Sequence, residues 1–171
     1  MSEVQKQNRI LEFVSQTDPL TGLMNRRGLM EKLLEAAPQR NGQTACMLFA
    51  DLDHLKQIND TYGHAEGDCA LKQIGSILTD LGEKESLVAR IGGDEFIVVI
   101  FEREKREYLV RQIREKCAAY NASSEKPYLV ECSVGIVEFI CEPDMDVAKL
   151  LESADQVMYA AKQNRRKTVL R

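Results

Sequence analysis

The stretch SLVARIGGDEFIVVIF, residues 86–101, contains two apolar runs separated by Gly92-Gly93 and two acids. Apolar runs on either side of a glycine pair predict a β-hairpin, because turns of type I′ or II′ need positive φ values that glycine adopts easily. The turn accounts for the glycines but not for Asp94 and Glu95, which stand at the start of the second run. These acids are either solvated residues at a hairpin tip or members of a site completed elsewhere in the chain.

A second pair of acids ends another apolar run, TACMLFADLD, residues 44–53. Asp51 and Asp53 are two residues apart in a predicted strand, so their side chains leave the same face. If this strand lies beside the hairpin, Asp51 meets Asp94 and Glu95, and carboxylates so close repel one another unless a cation neutralises them. Oxygen ligands suit Mg²⁺ or Mn²⁺, which keep coordination positions for phosphate and water. The residues therefore favour metal-dependent phosphoryl or nucleotidyl transfer.

The periodicity of apolar residues predicts one α+β domain. Helical spacing occurs in segments 26–37, 54–60, 68–81, 102–120 and 147–161, a loop is expected over 61–68, and further strands over 127–139 and 168–171. The central order β-α-β-β-α-β matches the ferredoxin-like, split βαβ plan, an antiparallel-centred sheet with helices mainly on one face. We divide the chain into an N-terminal linker helix, 1–16, and a domain, 17–171. The linker pattern fits equally a helix packed on its own domain and the end of a longer signalling helix.

Composition excludes several classes of function. The 171 residues carry a net charge of −4, which speaks against the basic surface of a nucleic-acid-binding protein. Five cysteines without a C-x-x-C pair, and only two histidines, argue against a zinc site, and the odd cysteine count predicts reduced thiols. No apolar run is long enough to cross a membrane and no signal peptide opens the chain. We expect a cytoplasmic domain without direct membrane insertion.

Four motifs together resemble those of the GGDEF family, the diguanylate cyclases. They are DPLTGLMNRR (18–27), DLDHLKQINDTYGHAEGD (51–68), RIGGDEF (90–96) and YAAKQNRRK (159–167). A lone Gly-Gly-Asp-Glu would be a weak signal, whereas four motifs in family order over nearly the whole chain are specific. The resemblance implies a nucleotide-cyclase, polymerase-palm-like fold and the condensation of two GTP into cyclic di-GMP with release of two pyrophosphates. It also implies two Mg²⁺ or Mn²⁺ ions per active site, an at least transient homodimer, and an upstream sensory domain in a larger signal-transduction protein.

The resemblance assigns the metal and catalytic roles to residues of the two acidic motifs. Asp51 would hold metal with its carboxylate, and Leu52 with its backbone carbonyl. Asp94 would bind metal and help to deprotonate the attacking 3′-hydroxyl, and Glu95 would complete the two-metal site.

The same resemblance assigns the substrate contacts. Asn59 and Asp68 would read guanine, since an amide and a carboxylate match its edges; alternatively, Asn59 ends the short helical turn and Asp68 is an N-cap. The remaining substrate contacts would surround the phosphates: Gly92, Gly93, Lys56, His64, Lys162 and Arg166. Arg165, where the family usually has glycine, is an alternative to Arg166, and all the basic residues near 162–167 would also suit a helix C-terminus.

One departure and three alternatives complete the sequence-based prediction. The family's product-inhibition motif R-x-x-D reads Glu83-Lys84-Glu85-Ser86 here, so we expect that site to be missing. The main alternative function is a non-catalytic GTP-binding or regulatory GGDEF module. An RNA-binding ferredoxin-like domain is disfavoured by the few aromatic residues, and a cyclase joining guanine to adenine is disfavoured by Asp68.

Overall fold

A computed structural model of the chain describes residues 4, 5, 7, 15–81, 85–101 and 106–169, with the backbone alone at 106, 154, 158, 161, 162 and 164–169. The strands are β1 (Thr44–Leu52), β2 (Leu87–Arg90), β3 (Glu95–Ile100) and β4 (Cys132–Ile140). The helices are α1 (Arg26–Ala36), α2 (Leu55–Tyr62), α3 (His64–Thr79), α4 (Arg106–Ser123) and α5 (Val147–Val169), with a 3-10 turn at Pro38–Arg40. Residues 4, 5, 7, 15 and 16 are helical, and the rest of the predicted linker helix lies outside the described residues.

The four strands form one antiparallel sheet in the order β2-β3-β1-β4. Because β3 lies between β1 and β2, the helices α2 and α3 cross over it, as the split βαβ plan requires. This order confirms the predicted α+β, ferredoxin-like fold. Strands β1 and β3 are the two central strands, and the predicted acidic residues stand at their adjoining ends.

Both faces of the sheet are buried, since side chains of successive strand residues point to opposite faces. One core lies between the sheet and helices α2, α3 and α4, and its strand residues include Leu48, Ala50, Phe96 and Val98. The other lies between the sheet and helices α1 and α5, and its strand residues include Met47, Phe49, Ile97 and Val99. The sequence predicted helices mainly on one face. The structure differs because α1 and α5, at the two ends of the domain, cover the second face.

Two predicted segments have a different structure from the one expected. The expected loop over 61–68 is helical apart from Gly63, whose φ of 92° separates α2 from α3. That conformation strains any residue with a Cβ, so one glycine suffices as the break. The expected strand over 168–171 was wrong at residues 168 and 169, which belong to α5. No glycine or proline interrupts residues 147–169, so nothing in the sequence stops that helix.

The segment before α1 is bonded to the edge of the sheet. Met24 donates its amide to the carbonyl of Val88 (3.3 Å) and accepts from the amide of Arg90 (2.9 Å). Nearby, the Arg90 guanidinium binds both oxygens of Asp18, at 3.1 and 3.2 Å. Asp18 also accepts from the amide and hydroxyl of Thr21. This pairing covers the exposed edge of β2 and fixes the segment ahead of α1 against it.

No helix in the described part of the chain is long and apolar enough to cross a bilayer. All five cysteines lie in the described part of the chain, and none of them forms a disulfide there. Three of them, Cys46, Cys117 and Cys141, are buried, so they behave as small apolar residues of the two cores.

We predict that Asp18→Asn destabilises the fold in a pH-dependent way. Burial raises the pKa of Asp18, but the hydrogen bonds from Thr21 and Arg90 outweigh it and hold the pKa below its ordinary value. The stabilisation is therefore present above the unfolded-state pKa of about 3.9 and is lost as the pH falls through the folded-state pKa. Urea denaturation should show a loss of about 1.5–3 kcal/mol at pH 7, the value of a hydrogen bond to a charged group.

The difference between the variant and the native protein should shrink as the pH falls from about 4 towards the lower folded-state pKa, because first the unfolded and then the folded protein takes up the proton of Asp18. Glu35→Gln is the matched control, because it removes an exposed ion pair with Lys32 and should cost less than about 0.5 kcal/mol. Equal losses for the two variants at pH 7 would contradict the prediction.

Candidate active site

Three carboxylates converge at one end of the sheet. One oxygen each of Asp51, Asp94 and Glu95 lies within 4.8 Å of the other two. At that separation two unit charges repel by roughly 3 kcal/mol at an effective dielectric constant of about 20, and each pair adds its own repulsion. Because the donor atoms are all carboxylate oxygens, the cluster fits a hard divalent cation such as Mg²⁺ or Mn²⁺.

The backbone of the two central strands holds this cluster together. Asp51 of β1 is paired in register with Glu95 of β3, and the amide of Leu52 donates to the carbonyl of Asp94 at 2.9 Å. Asp51 is only 4% exposed, whereas Asp94 and Glu95 are half-buried. The site is therefore open on the side of the hairpin. The second acid of the β1 motif, Asp53, lies beyond the strand end and accepts a hydrogen bond from the hydroxyl of Ser133 at 2.6 Å.

The turn that carries Asp94 differs from the predicted two-residue turn. The last ladder bond joins the amide of Ile91 to the carbonyl of Glu95 (2.9 Å), so three residues form the tip. Neither Gly92 nor Gly93 has a φ in the left-handed region, so the predicted I′ or II′ turn was wrong. A Cβ on Gly92 would stand 2.7 Å from Oε2 of Glu95. The Glu95 carboxylate thus lies against the backbone of Gly92, and a side chain at 92 would force that carboxylate to move.

The guanidinium of Arg90 stabilises the same turn through hydrogen bonds. Its Nη2 and Nε donate to the carbonyl of Gly93, at 2.8 and 3.2 Å, while Nη1 binds Asp18. Neither Arg90 nor Asp18 has a role in the prediction from the sequence. Their only signal was their place in two of the four motifs, 72 residues apart.

The structure also brings together the two residues predicted to read guanine. Asn59 lies in α2 and Asp68 in α3, on either side of the break at Gly63. A Cβ on Gly67 would stand 1.8 Å from Oδ1 of Asn59, so the Asn59 side chain lies directly over the backbone beside Asp68. Neither is a helix cap, because Gly63 is both the C-cap of α2 and the N-cap of α3. Sequence reasoning missed Gly67, although a glycine inside a helical pattern often marks such a close approach.

The predicted phosphate contacts come from two parts of the chain. Lys56 and His64 are exposed in α2 and α3, and the side chain of neither forms an ion pair with the described residues. Lys162 and Arg166 lie one helical turn apart in α5, and Arg165 beside them. The side chains of these three residues lie outside the described part of the structure, so their roles stay predictions.

A family model described as "Diguanylate cyclase, GGDEF domain" matches residues 15–168. The chain belongs to the GGDEF domain family. Diguanylate cyclase DgcP of Escherichia coli strain K12 is 36% identical over 176 residues, which cover 98% of this chain and 50% of that protein. Diguanylate cyclase DgcP of Pseudomonas aeruginosa is 38% identical over 152 residues, which cover 85% of this chain and 22% of that protein. This GGDEF domain therefore spans half or less of these relatives.

Solved structures of GGDEF proteins share the fold. The coiled coil and GGDEF domain of DgcB from Caulobacter crescentus, in complex with c-di-GMP, superposes with a TM-score of 0.77 at 26% identity. The match covers 94% of this chain and 87% of that one. Diguanylate cyclase SiaD from Pseudomonas aeruginosa, in complex with its activator SiaC, gives a TM-score of 0.75 at 29% identity. That match covers 94% of this chain and 63% of SiaD.

We predict that Gly92→Ala weakens cation binding by this GGDEF domain while Gly93→Ala does not. The new methyl group at 92 would push the Glu95 carboxylate away from Asp51 and Asp94, whereas a Cβ on Gly93 meets nothing within 4 Å. Loss of one charged interaction is worth about tenfold in the dissociation constant. Titration with Mn²⁺, followed by the rise in melting temperature, measures the effect. Equal affinities for the two variants would contradict the assignment of Glu95 to the cation site.

Proposed function

We propose that the chain is the catalytic domain of a diguanylate cyclase, which joins two GTP molecules into cyclic di-GMP and releases two pyrophosphates. The cluster of Asp51, Asp94 and Glu95 at the open end of the sheet is the observation that carries this proposal. Membership of the GGDEF family, and relatives that are named diguanylate cyclases, support it.

The three carboxylates and the backbone carbonyl of Leu52 would hold two Mg²⁺ or Mn²⁺ ions. Bound there, the ions would neutralise phosphate charge and lower the pKa of the attacking hydroxyl. The donor set supports this assignment, since three clustered carboxylate oxygens are the ligands that hard divalent cations prefer. The half-buried positions of Asp94 and Glu95 leave room for a nucleotide to approach from the side of the hairpin.

In the proposed reaction the 3′-hydroxyl of one nucleotide attacks the α-phosphorus of the other. A new P–O bond forms, the bond between the α- and β-phosphates breaks, and pyrophosphate leaves. Asp94 takes the proton from the hydroxyl as a general base. Glu95, held against Gly92, stays in place to share the cation site.

The remaining residues bind and orient GTP. Asn59 and Asp68 would bind the guanine edge through an amide and a carboxylate. The phosphates would lie along the backbone of Gly92 and Gly93, and four cationic side chains would neutralise their charge: Lys56, His64 when protonated, Lys162 and Arg166. That Lys56 and His64 are exposed and make no ion pair with the described residues supports this role.

A single domain binds one GTP in this scheme, so two domains must face each other for both hydroxyls to attack. Catalysis therefore needs a homodimer, at least transiently. Because bringing two subunits together costs translational and rotational entropy, the rate depends on protein concentration. Residues 1–16 would then be a linker to an upstream sensory region, and the domain would act in the cytoplasm, where GTP is available. Nucleic acid is not part of the proposed reaction.

We predict that Asp94→Asn lowers the rate of cyclic di-GMP formation by about 10²–10⁴-fold, the usual contribution of a general base. Concentrated protein is incubated with GTP and Mg²⁺, and the products are separated by chromatography and identified by mass. Chelation of the metal should abolish the reaction of the native protein.

Asp53→Asn is the matched control, because Asp53 lies just beyond the end of the same strand, accepts a hydrogen bond from Ser133 and does not belong to the cluster of three carboxylates. It should retain activity within about threefold of the native rate, as expected of a substitution away from the reacting groups. Undiminished activity of Asp94→Asn would defeat the assignment. Native protein that binds GTP but forms no cyclic di-GMP would instead support the non-catalytic regulatory module.

The proposal includes the loss of the product-inhibition site at residues 83–86. Glu83 lies outside the described residues, but Glu85 beside it is paired with Arg40 at 2.5 Å. The same arginine lies over the ring of Phe101, 4.3 Å from its centroid. Arg40, a cation close to this stretch, is therefore already paired with Glu85. The acidic side chains at 83 and 85 would also repel a phosphate.

We predict that cyclic di-GMP binds the native protein weakly and that the double variant Glu83→Arg with Ser86→Asp gains affinity. Restoring one arginine–phosphate pair is worth about tenfold or more in the dissociation constant. Calorimetric titration with cyclic di-GMP measures both proteins. Tight binding by the native protein that Glu83→Ala or Ser86→Ala abolishes would overturn the prediction.

A further inference from the structure

A short segment before β4 contacts both helices that carry the predicted guanine-reading residues. We call this segment, Lys126–Tyr128, the strap. On the side of α2, the hydroxyl of Tyr62 donates to the carbonyl of Pro127 at 3.0 Å. The rings of Tyr62 and Tyr128 also pack together, with centroids 5.6 Å apart and planes tilted by 42°. The strap thereby fixes the last residue of α2.

On the side of α3, the strap binds Glu66 through two of its side chains. Nζ of Lys126 donates to Oε2 and Oε1 of Glu66, at 2.8 and 3.0 Å. The hydroxyl of Tyr128 lies 2.7 Å from Oε2 and 3.1 Å from the backbone carbonyl of Glu66. The ion pair is two-thirds shielded from solvent on both sides, so it is screened less than an exposed pair.

Charge states support these contacts at neutral pH. The hydrogen bonds from Lys126 and then Tyr128 lower the pKa of Glu66, so it is ionised. Burial and the hydrogen bond to Glu66 raise the pKa of Tyr128, so its hydroxyl keeps its proton and can donate. The hydrogen bond to Glu66 likewise raises the pKa of Lys126.

The strap is itself anchored to the body of the domain. Beyond Tyr128, the backbone of Val130 is bonded to the side chain of Asn121 in α4 in both directions, at 2.9 and 3.0 Å. At its start, the amide of Lys126 donates to the hydroxyl of Ser124 at 3.2 Å. Because both ends are fixed, the strap can hold α2 and α3 in place and does not simply follow them.

The first turn of α3 lacks a side-chain cap, so it depends more on the contacts of the strap with Glu66 than a capped helix start would. Its N-cap, Gly63, has no side chain to bind the free amides of the first turn. Glu66 stands in that turn, next to Gly67, whose backbone lies under the Asn59 side chain, and two residues before Asp68. Loosening Glu66 would therefore change the distance between Asn59 and Asp68.

We propose that the strap determines which purine base the site accepts, with Lys126, Tyr128 and Glu66 as positioning residues that fix Asn59 relative to Asp68. The inference rests on the proposed function, in which those two residues bind guanine. A carboxylate accepts from both the ring N–H and the 2-amino group of guanine, but only from the ring N–H of hypoxanthine. Recognition of the 2-amino group needs the correct spacing, so a loosened strap should reduce discrimination as well as affinity.

The test compares GTP with inosine triphosphate, which lacks the 2-amino group, in the native chain and in Lys126→Met and Tyr128→Phe. Pyrophosphate release gives kcat and KM for each nucleotide. Lys126→Met should raise KM for GTP about tenfold with kcat within about threefold, and should reduce the preference for GTP over the inosine nucleotide about tenfold, the value of one charge-assisted interaction. Tyr128→Phe, which removes only a hydroxyl, should change both in the same direction by a smaller factor.

Lys32→Met is the matched control, since Lys32 forms an ion pair of the same 2.8 Å length with Glu35 on α1, far along the chain from the strap. It should change neither KM nor the preference. If both strap variants lose thermal stability or kcat while the preference is unchanged, the strap is only structural and the inference is overturned.

Failure of the proposed function gives a different result. If the native chain makes no cyclic di-GMP, calorimetric titration with GTP and inosine triphosphate still compares the strap variants by affinity alone. A reduced preference in Lys126→Met would then support the strap without the cyclase. Native protein that binds neither nucleotide would overturn both.

Discussion

The pairing of β1 with β3 is the constraint on which the rest of the structure depends. It places Asp51 opposite Glu95 and binds the amide of Leu52 to the carbonyl of Asp94. Because cores on both faces bury these strands, the carboxylates can only gather at the strand ends. A sheet that buried one face alone would leave these acids free to turn toward water. The repulsion among the three acids is thus imposed by the packing of the domain, and the turn at Gly92 and the brace from Arg90 keep them in place.

The parts of the structure that depend on local pattern could be predicted from the sequence. Alternation of side chains in β1 and β3 follows from a period of two, and the order of elements led to the correct sheet. The convergence of Asp51 with Asp94 and Glu95 followed once those strands were taken as neighbours. Asn59 and Asp68 lie only nine residues apart in the chain, so one glycine break between two helices brings them together.

Features that depend on contacts between distant residues could not be predicted. The pattern around Gly92 predicts a turn type, whereas in the structure the Glu95 carboxylate, three residues later, packs against the Gly92 backbone. Lys126 and Glu66 are separated by 60 residues, and neither belongs to a pattern that marks an ion pair in advance. The sequence predicts a loop at the start of α3 because the glycines there resemble breaks, but the segment is helical and Gly67 serves a contact with Asn59.

The two backbone bonds of Met24 with β2 have a mechanical consequence. Thr17 pairs with Met24, Met24 pairs with Ala89, and Arg90 binds both Asp18 and the carbonyl of Gly93. Leu20, Leu23 and Met24 of the same segment pack against the two hydrophobic cores, which are too densely packed to deform gradually. Tension or torque on this segment is therefore shared between the cores and the bonds of Arg90, and through Arg90 it arrives one residue from Asp94. The stiffness of the acidic turn thus depends in part on the edge of the sheet.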